Sequence, residues 1–325
     1  MNETLVLPWH QELWRRMMTL TGQGRLGHAW LLRGPEGVGK NHFARLLAWR
    51  WLCTKAQGEE TACGQCRGCA LLQAGTHPDL FQVSPQSSQW IAVDQIRGLV
   101  EFLSLHGQEN DRRVIVISPA EVMNANAANS LLKLLEEPPS GVIFLLVAHG
   151  WHRLPATIRS RCQPLVFSIP DPDRVQPWLQ DQCGDIPAEV LLRQAYGAPL
   201  RALAGADPQY QQQRREVFTQ FIQVLRDASQ DSEVAAAWSQ SDPQRLLAWL
   251  QSWAMDVVRL RHRIGDIVND DFREALQEIA GRLHLLKVFQ ILDSVHERRR
   301  WLQQPLNQQL MWEDLFILWR RPGPA

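Results

Sequence analysis

The residue types best suited to chemistry lie in a glycine-rich segment near the N-terminus. Residues 34–40 read Gly-Pro-Glu-Gly-Val-Gly-Lys and follow a short apolar run. A glycine-rich loop between a strand and a helix N-terminus binds phosphate, because its unpaired N–H groups and the helix dipole both favour an anion. The candidate nucleotide-binding residues are therefore Gly34, Gly37, Gly39 and Lys40. The alternative is a tight turn that keeps the backbone shape of such a loop without its function.

Two departures from a working ATPase accompany this loop. Asn41 stands where the motif needs Ser or Thr to hold Mg²⁺. The strand that should end in acidic residues is followed by Ser-Pro-Ala at residues 118–120. Glu121 comes too late and is expected to be a first-turn helix charge. We therefore expect no efficient hydrolysis by this chain, while Lys40 leaves nucleotide binding open.

Four of the six cysteines are clustered in a short polar insertion. They are Cys53, Cys63, Cys66 and Cys69. Four thiolates at this spacing suffice for a tetrahedral Zn²⁺, and a closed site of this kind has a structural role. A redox Cys-x-x-Cys pair is the alternative, although the context is not thioredoxin-like. His77 lies nearby and is expected to be a loop residue rather than a ligand.

Arg161 stands between Ser160 and Cys162, where a loop is expected between a short helix and a strand. An exposed arginine there can act as a finger that stabilises charge on the γ-phosphate of a nucleotide held by a neighbour. A surface ion pair is the alternative, and the spacing alone favours it. Cys162 is expected to be buried as a small apolar residue.

For the remaining arginines and the tryptophans we expect structural roles rather than contacts with nucleic acid. We expect solvated helix faces for two arginine groups, namely Arg259, Arg261 and Arg263, and the run 298–300. The 14 tryptophans mostly lie at helical spacing beside Leu and Val, as Trp249 and Trp253 do. They are expected to be core or subunit-interface anchors rather than platforms for nucleic-acid bases.

The overall composition excludes several classes of protein. The 325 residues include 34 Lys+Arg and 34 Asp+Glu, so the formal net charge is zero. A histone-like protein that binds nucleic acid through bulk charge is thereby excluded. The longest apolar run, residues 142–148, is far shorter than the ~20 residues of a membrane helix. The N-terminus does not resemble a signal peptide, and we expect a soluble cytoplasmic protein.

The elements that must position these residues alternate between strand and helix in the first half. Apolar strands are expected at residues 29–32, 80–83, 113–117, 142–148 and 164–167. A helix is expected after the glycine-rich loop, another at residues 93–106, and a third at 120–137, which Pro138 must end. This alternation predicts an α/β fold, with a parallel sheet covered by helices on both faces.

The strand signal stops after about residue 169, and an all-α part follows. A short helical section extends to residue 206. Asp-Pro pairs at residues 207–208 and 242–243 then begin two long helices. Two more helices are expected at residues 283–295 and 306–319. The chain is thus predicted to contain an α/β domain, a small helical piece and a helical bundle.

Several segments resemble the clamp-loader subunits of bacterial DNA polymerase III, a family of the AAA+ class, and the delta-prime type among them. The similar segments are residues 27–34, the cysteine insertion with residues 73–79, residues 126–139, residues 154–162 and residues 307–315. The resemblance covers nearly the whole chain, and residues 126–139 are its most specific part. The segment Ala148-His149-Gly150 stands where a motor subunit has its sensor threonine, and Leu200 stands where it has a sensor arginine, with Arg201 one position off. This is the pattern of a catalytically silent subunit.

The resemblance implies a domain arrangement and a mechanism. The expected domains are a RecA-like AAA+ domain at 1–168 with a zinc module at about 53–69, a helical lid at 169–206, and an oligomerising collar at 207–325. Arg161 is expected to face ATP on a neighbouring motor subunit (gamma or tau) in a hetero-pentamer that also contains the delta subunit. Zinc is structural, and ATP binding by this chain itself is doubtful. The complex would load the sliding clamp at primed DNA, in the nucleoid, for a DNA-directed DNA polymerase (a nucleotidyltransferase) whose chemistry this chain does not perform.

Two other classes of function remain open at this point. One is a P-loop ATPase motor that acts on DNA and turns over Mg·ATP by itself. The other is a zinc-dependent nucleic-acid binding module with salt-sensitive affinity for DNA.

Overall fold

A computed structural model of the chain describes residues 5–58, 61–86, 90–104, 112–184, 186–302 and 306–321. The first part is built on a parallel sheet of five strands: β1 (Ala29–Arg33), β2 (Leu80–Val83), β3 (Arg113–Ile117), β4 (Val142–Ala148) and β5 (Gln163–Val166). Their order across the sheet is β2-β3-β4-β1-β5. Because all pairs are parallel, the loops after β1, β3 and β4 meet at one edge of the sheet. The predicted parallel α/β fold is confirmed.

Helices cover both faces of this sheet, as expected. The helices of this first part of the chain are α1 (Gln11–Gly22), α2 (Lys40–Leu52), α3 (Arg67–Gln73), α4 (Val93–Ser104), α5 (Ala125–Glu136), α6 (Ala156–Arg161), α7 (Pro172–Gln180), α8 (Ala188–Gln194) and α9 (Pro199–Gly205), of which α1 and α2 cover one face and α4, α5 and α6 the other. Side chains alternate along β1, so Trp30 and Leu32 pack with α1 and α2, whereas Ala29 and Leu31 pack with α4, α5 and α6. The last two residues of the helix predicted at 93–106 lie outside the described residues.

The single helix predicted at 120–137 is wrong, because backbone pairing interrupts it. A 3-10 turn covers Ala120–Val122, and Met123 then forms a parallel bridge with Ile91. The N–H of Ile91 donates to Val122 O at 3.0 Å, and the N–H of Asn124 donates to Ile91 O at 3.1 Å. Asn124 then caps α5, since its Oδ1 accepts from the N–H of Ala127 at 2.8 Å.

The second part of the chain is entirely helical in its described residues. Its helices are α10 (Pro208–Arg226), α11 (Asp231–Trp238), α12 (Pro243–His262), α13 (Arg273–Arg282), α14 (Leu285–Trp301) and α15 (Gln308–Arg320). Asp207 and Asp242 cap α10 and α12 as predicted, each through its own carboxylate. The sequence interpretation missed α11 and α13. Trp249 and Trp253 lie in the core of this bundle, as expected.

One arginine of the run 298–300 departs from the prediction of solvated helix faces. Arg298 is buried and forms an ion pair with Asp314, whereas Arg300 is exposed. In the other group Arg261 and Arg263 are exposed as predicted, whereas Arg259 is partly buried and forms an ion pair with the buried Asp256. Arg298 was misjudged because α15, which supplies Asp314, packs against α14.

The chain divides into two compact units between Leu203 and Ala204. The first unit includes most of the segment expected to form a separate lid, so that finer division stays a prediction. None of the described helices is long and apolar enough to cross a membrane.

Candidate functional site

The glycine-rich loop connects β1 to α2 and needs glycine for steric reasons. Gly39 caps α2 with a φ of 100°, a conformation that side chains with a Cβ rarely adopt. A Cβ on Gly39 would lie 2.8 Å from Leu7 Cδ1, and one on Gly34 would lie 2.0 Å from the carbonyl oxygen of Phe167. The close packing of this loop therefore requires glycine at both positions.

Lys40 is the first residue of α2 and is only 2% exposed. Its Nζ donates to the carbonyl oxygens of Gly34 at 2.7 Å and Pro35 at 2.5 Å. Burial lowers the pKa of Lys40 to about 8, although the carboxylates of Glu121 and Glu36 oppose this shift. The ammonium group that would bind phosphate is thus engaged by carbonyls of its own loop.

Two other segments of the first unit contact the loop. The indole N–H of Trp9 donates to Val38 O at 3.0 Å, and the N–H of Leu200 donates to Gly37 O at 2.8 Å. Leu200 therefore adjoins the loop, as a sensor position would. The Arg201 guanidinium lies 5.9 Å from the ring of Tyr196.

Asn41 and the tip of β3 contact each other where a motor holds Mg²⁺. Ser118 Oγ donates to Asn41 Oδ1 at 2.5 Å, across 77 positions of sequence. An amide oxygen that accepts this hydrogen bond is a weakened metal ligand. The two positions at which the sequence departs from a working ATPase are therefore hydrogen-bonded to each other.

Glu121 has a different role from the expected first-turn charge. It does lie in the first turn of the 3-10 helix, but its side chain is buried. Its Oε1 accepts from the N–H groups of His149 at 2.9 Å and Gly150 at 2.8 Å. This carboxylate fixes the loop after β4. Burial, and secondarily the charge of Lys40, lowers the pKa of His149.

The four clustered cysteines converge as a tetrahedral site requires. The Sγ atoms of Cys53 and Cys66 are 3.8 Å apart, and those of Cys63 and Cys69 are 3.9 Å apart. All four lie within 4.8 Å of one another. With Zn–S bonds of ~2.3 Å, a tetrahedron has S–S edges of about 3.8 Å, so the donor set fits Zn²⁺. When bound, zinc would tie the end of α2 to α3.

The electrostatic surroundings favour the thiolate form at Cys66 but not at Cys69. Burial alone would raise the pKa of Cys66, but hydrogen bonds from the N–H of Cys69 and from Thr54 lower it to about 6. Burial raises the pKa of Cys69. His77 lies in the loop before β2, as expected, where it is buried and its Nδ1 accepts from the N–H of Asp79. Among the residues that the structure describes, the donor cluster consists of the four cysteines alone.

Arg161 is the last residue of α6, and its side chain is 35% exposed. Its Nη2 lies 2.5 Å from Oε1 of Glu136, and its Nη1 donates to Thr157 O at 2.9 Å. The surface ion pair considered as an alternative is therefore present. The next residue, Cys162, is buried as predicted, and burial raises its pKa to about 12.

Sequence reasoning missed an aromatic and basic cluster at the same edge of the sheet. The Arg33 guanidinium lies 4.4 Å from the ring centroid of Trp151, and that of Arg159 lies 5.4 Å from it. Arg33 ends β1, Trp151 follows β4 and Arg159 lies within α6. Their spacing matches no motif, so only the folded chain reveals the cluster.

Comparisons with known proteins agree along the chain. A family described as "DNA polymerase III, delta subunit" matches residues 9–171, and one described as "DNA polymerase III, delta subunit, C terminal" matches residues 208–321. The DNA polymerase III subunit delta' of Pseudomonas aeruginosa is 35% identical over 98% of this chain and 99% of that protein. The subunit delta' of Escherichia coli is 30% identical over 95% and 94%. A solved gamma subunit-related protein of Thermotoga maritima has a TM-score of 0.48 at 16% identity, covering 96% of this chain and 98% of that one.

Proposed function

Since this chain belongs to the family of DNA polymerase III delta' subunits, we propose that it is a non-motor subunit of the sliding-clamp loader. In this role it supplies Arg161 in trans as an arginine finger to ATP bound on a neighbouring subunit. Clamp loading at primed DNA then depends on the nucleotide state of that neighbour.

The hydrogen bond between Ser118 and Asn41 carries the non-motor part of the proposal. It occupies the position from which a motor subunit coordinates Mg²⁺. Gly34, Gly37 and Gly39 are thus expected to keep the shape of a nucleotide site that turns over no ATP.

The position of Arg161 supports the finger. It ends a short helix, and about a third of its side chain remains exposed. The ion pair with Glu136 does not exclude this role, since a solvated pair is weak and a guanidinium has five N–H donors. A phosphate group is a stronger partner for arginine than one exposed carboxylate.

The remaining assignments follow from the family. The partners are motor subunits (gamma or tau) and the delta subunit in a hetero-pentameric ring, joined through the helical collar at residues 207–325. The ring contacts the sliding clamp and primed DNA in the cytoplasm, within a DNA-directed DNA polymerase assembly. Zinc on the four cysteines is structural.

ATP turnover tests this function directly. The chain is assayed alone, and then in complex with its motor subunits, clamp and primed DNA, with wild type beside Arg161→Ala. We expect the chain alone to be silent and Arg161→Ala to depress turnover in the complex. Arginine fingers contribute about 10³–10⁵ in rate, and less where other groups share the work.

Arg97→Ala is the matched control for this experiment. Arg97 is also an exposed arginine of the first unit, and its Nη1 lies 2.8 Å from Oδ1 of Asp94 in an ion pair. The Arg97→Ala variant should leave ATP turnover by the complex unchanged. Turnover by the chain alone would instead support an ATPase motor. Salt-sensitive DNA binding by the free chain would support a nucleic-acid binding module.

A further inference from the structure

Glu136 and Arg161 form an ion pair that connects the end of α5 to the end of α6. Arg161 Nη2 and Glu136 Oε1 are 2.5 Å apart. Arg161 Nη1 donates to Thr157 O in addition. Both terminal nitrogens of the guanidinium therefore have a partner in their own chain. In this arrangement Arg161 presents a neutralised pair, not a free cation, to a neighbouring molecule.

The position of Glu136 is unfavourable for its own helix. It is the last residue of α5, where the helix dipole repels a carboxylate. Arg161 ends α6, where the dipole favours a cation. Glu137 carries the same charge one residue further along and has no ion pair among the described residues. Geometry, rather than the presence of an acidic residue alone, thus selects Glu136 as the partner of Arg161.

The pair is too weak to hold Arg161 permanently. The two side chains are 35% and 48% exposed, so water and salt screen their attraction. An exposed ion pair of this kind favours the paired state, here called closed, over the separated side chains by at most about fivefold. A triphosphate carries more charge than one carboxylate and also offers arginine bidentate hydrogen bonds. It is therefore able to displace Glu136.

We propose that Glu136 is a positioning residue. Its ion pair holds Arg161 against its own chain until the triphosphate on the neighbouring subunit displaces Glu136 and binds Arg161 in its place. The proposal rests on the proposed function of Arg161. No covalent step is involved, because one ion pair replaces another. Glu136 would then lower the turnover of the neighbour whenever the closed pair is populated.

Glu136→Gln tests this role in the full complex with motor subunits, clamp and primed DNA. Glutamine removes the charge and keeps the size of the side chain. We expect kcat for ATP to rise by up to about fivefold, since a finger acts on charge in the transition state. The ratio of mutant to wild type should fall towards one as salt is raised, because salt also opens the wild-type pair.

Two further variants separate this role from a structural one. Glu137→Gln removes a neighbouring charge and should leave kcat unchanged. Glu136→Gln should have no effect in an Arg161→Ala background, and thermal unfolding shows whether each variant is folded. An unchanged or lower kcat in Glu136→Gln, or a rise that persists without Arg161, would overturn the proposal.

The outcomes also distinguish this proposal from the function on which it rests. If Arg161→Ala alone leaves turnover at the wild-type level, the finger itself is wrong. If Arg161→Ala lowers turnover but Glu136→Gln changes nothing, only the positioning role is wrong.

Discussion

At the level of single residues, the burial of Lys40 changes how readily its ammonium group loses a proton. The ammonium group of Lys40 is buried and donates to Gly34 O and Pro35 O. Burial lowers its pKa from 10.5 to about 8. The folded chain therefore releases this proton at a lower pH than the unfolded chain does.

The pKa of Lys40 predicts a pH-dependent stability difference between wild type and Lys40→Met. Between about pH 8 and 10.5 the unfolded lysine keeps a proton that the folded one has lost, so the free energy of unfolding of wild type rises with pH. Methionine does not titrate. Wild type should gain about 3 kcal/mol at most relative to Lys40→Met across this interval, measured by urea unfolding.

Lys133→Met is the control for this measurement. Lys133 is exposed on α5, and its substitution should change stability equally at both ends of the pH range. A difference between wild type and Lys40→Met that does not vary with pH would contradict the prediction.

At the scale of elements, the cysteine insertion has almost no apolar core. Among its described residues, the buried cluster consists of Cys53, Cys66 and Cys69, with Ala56, Ala62 and Cys63 packed against them. Such a cluster buries too little apolar surface to order a polar segment. A metal would replace the missing core, since structural zinc contributes ~10–16 kcal/mol in isolated zinc-finger peptides.

Cys66→Ser should abolish zinc binding and loosen this insertion. The serine hydroxyl is a poor zinc ligand, and three cysteines leave the tetrahedron open. We expect the purified variant to lose its zinc and to become sensitive to proteolysis between residues 53 and 73, while β1 to β5 stay folded. Metal analysis and limited proteolysis measure the two effects.

Cys183→Ala provides the matched control, because Cys183 is a buried cysteine outside the cluster. It should keep the full zinc content. Equal zinc in Cys66→Ser and wild type would refute the four-cysteine site.

At the scale of the whole molecule, each compact unit has its own core and its own buried polar contacts. In the second unit Asp256 is fully buried. Its Oδ1 accepts from the N–H of Val268 at 2.9 Å and from Arg259 at 2.6 Å, and its Oδ2 accepts from the N–H of Asn269 at 2.7 Å. One carboxylate thereby fixes the connection between α12 and α13.

Asp256→Ala should destabilise the second unit selectively. The substitution leaves two buried N–H groups and a cation without their acceptor, and breaking a buried pair in this way costs about 3–5 kcal/mol. Urea unfolding followed by fluorescence should show an earlier transition for the helical unit. The exposed Asp293→Ala is the control. An equal shift for both units, or none, would contradict this prediction.

The strands and the caps could be predicted because their causes are local. The apolar run of β4 is buried along its whole length, and Asp207 begins α10 through its own side chain. The helix expected at 120–137 failed because Ile91, far away in sequence, pairs with Met123. Helix propensity depends on the residue and its local sequence, so it contains no information about a distant pairing partner.

By itself, the sequence determined the α/β and all-α parts, the glycine-rich loop, the cysteine spacing and the family resemblance. Each of these depends on residue type and on neighbours close along the chain. Only the tertiary structure decided that Asn41 meets Ser118, that Glu121 holds the loop after β4, and that Arg161 pairs with Glu136. The physical reason is range: hydrogen bonds and ion pairs act over a few ångströms, so their partners are set by how distant elements pack.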